Sequence, residues 1–244
     1  MASVLITRPQ ATALPLAEKL RLLGYETAIE PLLDIAPLGA AKPETKDIDA
    51  VMVTSGNALD MVDPAAIAGL ARLPCFCVGP RTGQKARAMG FSNVQNSGQD
   101  GAALAALIGN LLRQNGAILH IAGEDADSRA RRELERQGRR VVVWEVYKAI
   151  PVMQLSAAAV KMIAEGKIGA ILVFSPRTAE TLAALMTRHA LNACCVRLAA
   201  ICLSEAVAAP LEPLGWHALV SAAAPTEDAM IACLQETVPA RGCA

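Results

Sequence analysis

The chain has 244 residues, with 23 lysines and arginines against 23 aspartates and glutamates, a formal net charge of zero, and 53% hydrophobic residues. So large an apolar share excludes wholesale disorder, and the length suits one large domain or two small ones. Charge balance argues against a general nucleic-acid binder, and two Trp, two Tyr and three Phe leave little for base stacking.

The longest apolar runs, 198–203 and 218–225, fall short of the ~20 residues that span a bilayer. The apolar run 4–6 stops at Thr7-Arg8-Pro9, too early for the core of a signal peptide. A cytoplasmic protein without a membrane partner is expected. The seven cysteines, Cys75, Cys77, Cys194, Cys195, Cys202, Cys233 and Cys243, form no CxxC, and the three histidines are far apart. They read as small buried hydrophobes in a reducing compartment, and no metal site is expected.

In chain order, β-like runs at 4–7, 27–30, 50–54, 74–78, 117–121, 141–146, 170–174, 197–201 and 217–220 alternate with Ala/Leu-rich helical stretches. The helices predicted at 14–23, 83–89, 130–137 and 207–214 stop at Gly24, Gly90, Gly138 and Gly215, where glycine takes up the left-handed conformation without a Cβ clash. Strands flanked by helices imply parallel sheets buried on both faces. The segments 31–43 and 148–154 carry prolines and read as connectors without the Gly/Ser composition of a loose tether.

Three pairs of segments repeat in the same order. The strand of 4–9, with its helix to Gly24, resembles 118–123 with its helix to Gly138; 50–58 resembles 170–178; 75–82 resembles 198–205. Two similar α/β units are therefore expected.

Ligands of open parallel sheets bind outside the carboxyl ends of the strands. Here those ends read Thr7-Arg8-Pro9, Thr54-Ser55-Gly56-Asn57, Gly79-Pro80-Arg81-Thr82, Gly123-Glu124-Asp125, Ser175-Pro176-Arg177-Thr178 and Leu203-Ser204-Glu205. Hydroxyls and free backbone N–H groups at helix starts suit carboxylates; the same hydroxyls also serve as N-caps, and either role fits. No GxGxxG follows the first strand, and no GxxxxGK[ST], GxSxG or HExxH is present, which removes the usual nucleotide, acyl-transfer and zinc readings. Glu124, Asp125 and Asp127 read as helix-opening carboxylates. The basic run Arg129, Arg131, Arg132, Arg136, Arg139 and Arg140 reads as a mostly solvated helix face. Tyr25 reads as structural. Tyr147 closes the run 141–146 just before a connector, where it either packs beneath the connector or faces a cleft as a proton donor.

Taken together, Thr7-Arg8-Pro9, Thr54-Ser55-x-Asn57-Ala58, Val78-Gly79-Pro80-x-Thr82, Gly123-Glu124, Val146-Tyr147, Ser175-Pro176-x-Thr178 and Ala224-Pro225-Thr226-Glu227 resemble the uroporphyrinogen-III synthase family along essentially the whole chain. The resemblance implies two parallel-sheet α/β domains, flavodoxin- or Rossmann-like and internally duplicated, joined by a two-stranded linker. The first would be discontinuous, 1–34 plus 151–244, and the second 38–146, with linkers near 35–37 and 147–150. It implies a cofactor-free, monomeric lyase that cyclises hydroxymethylbilane with inversion of the last ring. Tyr147 would be the catalytic acid; Thr54, Ser55, Asn57 and Thr82 would bind substrate on one side, Ser175, Thr178 and Ser204 on the other, and Arg8 would be ligand-facing or structural. Where the family often has Ile-Gly-Pro-x-Thr, this chain reads Ile201-Cys202-Leu203-Ser204-Glu205, which keeps a hydroxyl. The rival expectations are a non-enzymatic binding protein for an acidic small molecule and a nucleotide- or sugar-dependent transferase.

Overall fold

The computed structural model describes residues 3–98, 101–113, 116–124 and 128–240. Asp125, Asp127 and Cys243, singled out above, lie outside them. The strands are β1 (Ser3–Ile6), β2 (Thr27–Ile29), β3 (Leu33–Pro37), β4 (Ile48–Val53), β5 (Pro74–Cys77), β6 (Asn93–Asn96), β7 (Ala117–Gly123), β8 (Val141–Pro151), β9 (Ile168–Val173), β10 (Ala199–Cys202) and β11 (Ala218–Ser221). The helices are α1 (Gln10–Leu22), α2 (Gly56–Asp60), α3 (Pro64–Ile67), α4 (Pro80–Ala88), α5 (Gly101–Leu111), α6 (Arg129–Arg136), α7 (Ala157–Ala164), α8 (Pro176–Arg188), α9 (Glu205–Ala208) and α10 (Glu227–Thr237).

The chain divides into two compact units, Met1–Asp34 with Ile150–Ala244, and Ile35–Ala149. The first holds a five-stranded sheet in the order β11-β10-β9-β1-β2, parallel throughout. The second holds a six-stranded sheet in the order β3-β8-β7-β4-β5-β6, parallel from β8 to β6. The fold is thus α/β with parallel sheets.

Both sheets are apolar on both faces, as parallel strands covered by helices require. In the first, Leu5, Ile171, Val173 and Ala200 pack on one side, and Val4, Ile6, Leu172 and Ile201 on the other. In the second, Val51, Val53, Leu119 and Ile121 face one core, and Met52, Phe76 and Ile118 the other. At ~1.5–3 kcal/mol for each large side chain buried, these four clusters dominate the favourable side of folding. They also explain why the strands read as continuous apolar runs rather than as alternating ones.

Several elements depart from the sequence-based expectation. β6 has the polar sequence Asn-Val-Gln-Asn and no apolar pattern; it forms because its backbone pairs with β5 from Pro74↔Asn93 to Cys77↔Asn96 at the sheet edge, where polar residues are tolerated. Residues 33–37, a connector by composition and one strand of the linker by the family resemblance, are strand β3. Strand β8 runs on from 146 to Pro151; a proline is tolerated there because the final strand residue needs no ladder N–H. The helix expected over 207–214 is shorter: α9 ends at Ala208, and Ala209–Leu214 is a 3-10 turn containing Pro210 and Pro213, which cannot donate α-helical bonds. Gly24 and Gly138 do end α1 and α6, with φ of 86° and 76°.

Candidate active site

Within each unit one pair of adjacent strands sends its connections in opposite directions. β4 leads to β5 and β7 leads to β8 in the second unit; β9 leads to β10 and β1 to β2 in the first. The diverging helices leave a crevice at the carboxyl ends of such strands, where open α/β sheets bind ligands.

In the second unit, β4 is followed by Thr54-Ser55. Ser55 caps α2, its Oγ accepting from the Asn57 N–H at 3.3 Å. Asn57 is half-buried, and its side chain makes no hydrogen bond among the described residues. Thr82 sits in the first turn of α4, 9% exposed, behind Gly79, which holds the N-cap position. The two short helices are tied by Lys85, which pairs with Asp60 of α2.

Tyr147 lies on β8 opposite Gly123, the last residue of β7, and the Glu124 N–H donates to the Tyr147 carbonyl at 2.6 Å. The ring covers Gly123 closely: a Cβ there would stand 2.6 Å from the ring Cζ. A Cβ at 123 would therefore force the ring to shift. The Tyr147 hydroxyl has no hydrogen-bond partner among the described residues. The ring is half-buried and packs beside the core of Val53 and Ile121, so the side chain is both packed at its root and uncommitted at its tip.

Behind Thr54 lies a residue that the sequence reading passed over. His120 sits in the middle of β7, is wholly buried, and places Nε2 3.1 Å from Thr54 Oγ1. Its register partner is Met52, so Thr54, two residues on, shares its face of the sheet. Nδ1 has no partner. Burial pushes the imidazole down from its ordinary 6.5 to about 4, Arg131 adding to the effect and Glu135 opposing it; the ring is neutral at pH 7. The available signal was a histidine inside an otherwise apolar buried strand.

In the first unit, Ser175 caps α8, its Oγ accepting from the Thr178 N–H at 3.2 Å and lying 2.7 Å from Thr178 Oγ1. Thr178 itself is 3% exposed, so it acts on its surroundings through Ser175. Ser204 is half-buried at the start of α9, and its hydroxyl makes no capping bond and no other hydrogen bond among the described residues. Arg8 is engaged: Nη2 donates to Glu227 Oε2 at 2.6 Å, and the guanidinium lies 4.7 Å from the Phe174 ring centroid. Beside it, the buried Thr7 hydroxyl donates to the Leu172 carbonyl at 2.6 Å, fastening β1 to β9.

The remaining candidates resolve as structure. Tyr25 is buried and donates to the Val238 carbonyl at 2.8 Å. Cys75, Cys77, Cys195 and Cys202 are buried free thiols; burial pushes Cys195 up to about 11 and Cys202 to about 12, which removes nucleophilic character at neutral pH. No group of potential metal ligands occurs among the described residues, and no described helix is long and apolar enough to cross a membrane. The basic run is solvated at Arg131 and Arg136, which pair with Glu135 and Glu133 on α6. Arg139 departs from that expectation: 8% exposed, it donates to the carbonyls of Gly109, Leu112 and Arg113. The carbonyls left unpaired at the end of α5 draw it inward.

Residues 15–232 match the family model described as uroporphyrinogen-III synthase HemD. No curated protein sequence is a significant match. The crystal structure of the uroporphyrinogen-III synthetase from Helicobacter pylori 26695 is similar with a TM-score of 0.64 at 15% identity, over 97% of this chain and 99% of that one. A mutant uroporphyrinogen III synthase from the extremely thermophilic bacterium Thermus thermophilus gives a TM-score of 0.53 at 17% identity, over 98% and 99%. At such identities the likeness speaks for the fold, while the family match runs from α1 into α10. The chain belongs to the uroporphyrinogen-III synthase family.

Proposed function

We propose that this protein is a uroporphyrinogen-III synthase: a monomeric, cytoplasmic lyase that closes hydroxymethylbilane to uroporphyrinogen III with inversion of the last pyrrole. The observation that carries this reading is the family match over 15–232. Supporting it are two sets of strand-end hydroxyls and helix starts on parallel sheets, together with Tyr147, whose hydroxyl is uncommitted among the described residues.

The substrate is a linear tetrapyrrole with acetate and propionate side chains. Loss of its hydroxyl leaves an electrophilic azafulvene. The substituted carbon of the last ring attacks it to give a spiro intermediate, which fragments and recloses. Unassisted closure joins the unsubstituted carbon and gives the type I isomer, so catalysis here is chiefly a matter of holding the chain in the less accessible geometry. Donors that recognise carboxylates do this without chemistry of their own.

Thr54, Ser55, Asn57 and Thr82 supply such donors or hold them in place in the second unit, and Ser175, Thr178 and Ser204 in the first. Ser55 accepts a backbone N–H and so keeps its own proton to give. Arg8, paired with Glu227 and stacked on Phe174, supports the first-unit loops and offers little of its charge to the ligand. Tyr147 protonates the departing hydroxyl, which leaves as water.

The test is to supply hydroxymethylbilane to the purified, folded protein, oxidise the products and separate the isomers. Type III in excess of the uncatalysed type I background is the expected result; type I alone would sink the proposal.

A further inference from the structure

We propose that His120 is a positioning residue for this reaction: its ring donates from Nε2 to Thr54 Oγ1, which leaves the Thr54 proton to be given to a substrate carboxylate. The inference rests on reading Thr54 as a carboxylate contact, and it assigns the group that decides in which direction that hydroxyl donates.

The argument begins with what a buried neutral imidazole can do. It carries one N–H and one bare nitrogen. Here Nε2 lies 3.1 Å from Thr54 Oγ1 and Nδ1 faces no partner among the described residues. Were Nδ1 protonated, a buried donor would be stranded on a strand whose neighbour in register is the apolar Met52. Nε2 would then accept the Thr54 proton, and the hydroxyl would present only lone pairs outward, repelling an anion. With Nε2 protonated, the stranded group is a lone pair. Unsatisfied buried acceptors are tolerated better than unsatisfied donors. Thr54 Oγ1 then accepts from the ring, and its own proton points away from it.

The surroundings hold this state in place. His120 is wholly buried while Thr54 is half-buried, so of the two residues only Thr54 is open to a ligand. Thr54 follows β4, and His120 lies on the adjacent β7, the pair of strands whose connections diverge. The ring stays uncharged at neutral pH, because burial and the nearby Arg131 both disfavour a second proton, against the opposing Glu135. Recognition is by one directed hydroxyl, whose direction is set from behind.

Long-range 1H–15N correlation on the intact, histidine-labelled protein at neutral pH reads the tautomer directly. Protonation at Nε2 is expected; protonation at Nδ1, or an imidazolium, would overturn the proposal. In steady-state assays with hydroxymethylbilane, His120→Leu is expected to raise KM about tenfold, the scale of one charge-assisted hydrogen bond, with a smaller change in kcat. His120→Gln, whose amide nitrogen reaches the Nε2 position, should restore most of the loss. Thr54→Val should raise KM alike, and Thr54→Val combined with His120→Leu should be no worse than Thr54→Val alone. Additive losses, or no rescue by Gln, would show a merely structural role and overturn the proposal. If the Leu variant does not fold, the Gln variant and the tautomer decide. A wild-type protein that makes only the type I isomer counts against the functional reading, while the tautomer still decides this one.

Discussion

Gly123 and Tyr147 constrain each other: a Cβ at 123 would reach the ring at 2.6 Å, so the tyrosine is placed by an absent side chain. Tyr147→Phe keeps that packing and removes only the acid. We expect kcat to fall by about 10²-fold, the lower range for general acid catalysis, with KM nearly unchanged; an unchanged kcat would take Tyr147 out of the mechanism. Gly123→Ala should displace the ring, lowering kcat similarly and costing ~1–3 kcal/mol of stability through overpacking, read by urea denaturation. His120 yields a pH prediction. Its folded-state value, about 4 against an ordinary 6.5, is depressed, so between these values the unfolded chain binds the proton and the folded chain does not. Stability is therefore complete above pH 6.5 and falls as pH drops toward 4, by up to about 3 kcal/mol. Urea midpoints of wild type and His120→Gln between pH 7 and 4.5 should show that this portion of the slope disappears in the variant.

At the scale of elements, Arg139, which follows α6 and docks onto the end of α5, is the clearest case of tertiary structure overriding a sequence pattern. Within a charged run, Arg139 looks like any other surface residue, yet its guanidinium bonds three carbonyls. Arg139→Met keeps the apolar stem and unpairs those carbonyls; a loss of about 2–4 kcal/mol is expected and would appear as a lower urea midpoint. Arg136→Met, on the exposed face of α6, should change it by less than about 0.5 kcal/mol. The contrast shows what a sequence makes legible. Strands β1, β4, β7, β9 and β10 were readable because both their faces are apolar. Ser55 and Ser175 were readable because a hydroxyl after a strand and before a helix serves as an N-cap whatever else it does. β6 was not, since edge pairing supplies its reason to exist; the strand in the proline-bearing connector was expected only through the family resemblance. His120 was hidden because its partner, Thr54, is 66 residues away in sequence. Arg8 could be read either way until Glu227 and Phe174 were found beside it.

At the scale of the whole molecule, the sequence repeat reappears as topology. Matching β7 to β1, β4 to β9 and β5 to β10, the pairs found in the sequence, the order β8-β7-β4-β5-β6 of the second sheet falls onto β2-β1-β9-β10-β11 of the first. Each sheet carries a core on both faces drawn from its own unit: Leu5 and Ile6 sit in different clusters of the first, Met52 and Val53 in different clusters of the second. The chain leaves the first unit after Asp34 and re-enters at Ile150, and the two passes run side by side there, the Val152 N–H donating to the Leu32 carbonyl at 3.1 Å. A linker of a few residues can therefore replace the whole inserted unit with little loop-closure cost. Deleting 35–149 and joining Asp34 to Ile150 through a short Gly/Ser link should leave a protein with a dispersed amide spectrum and a single cooperative thermal transition. It should also make no type III isomer, since Thr54, His120 and Tyr147 are gone. A deletion product that is unfolded or aggregated at neutral pH would mean that the first unit depends on the second for its stability, and that the two-faced core of its five strands is not sufficient alone.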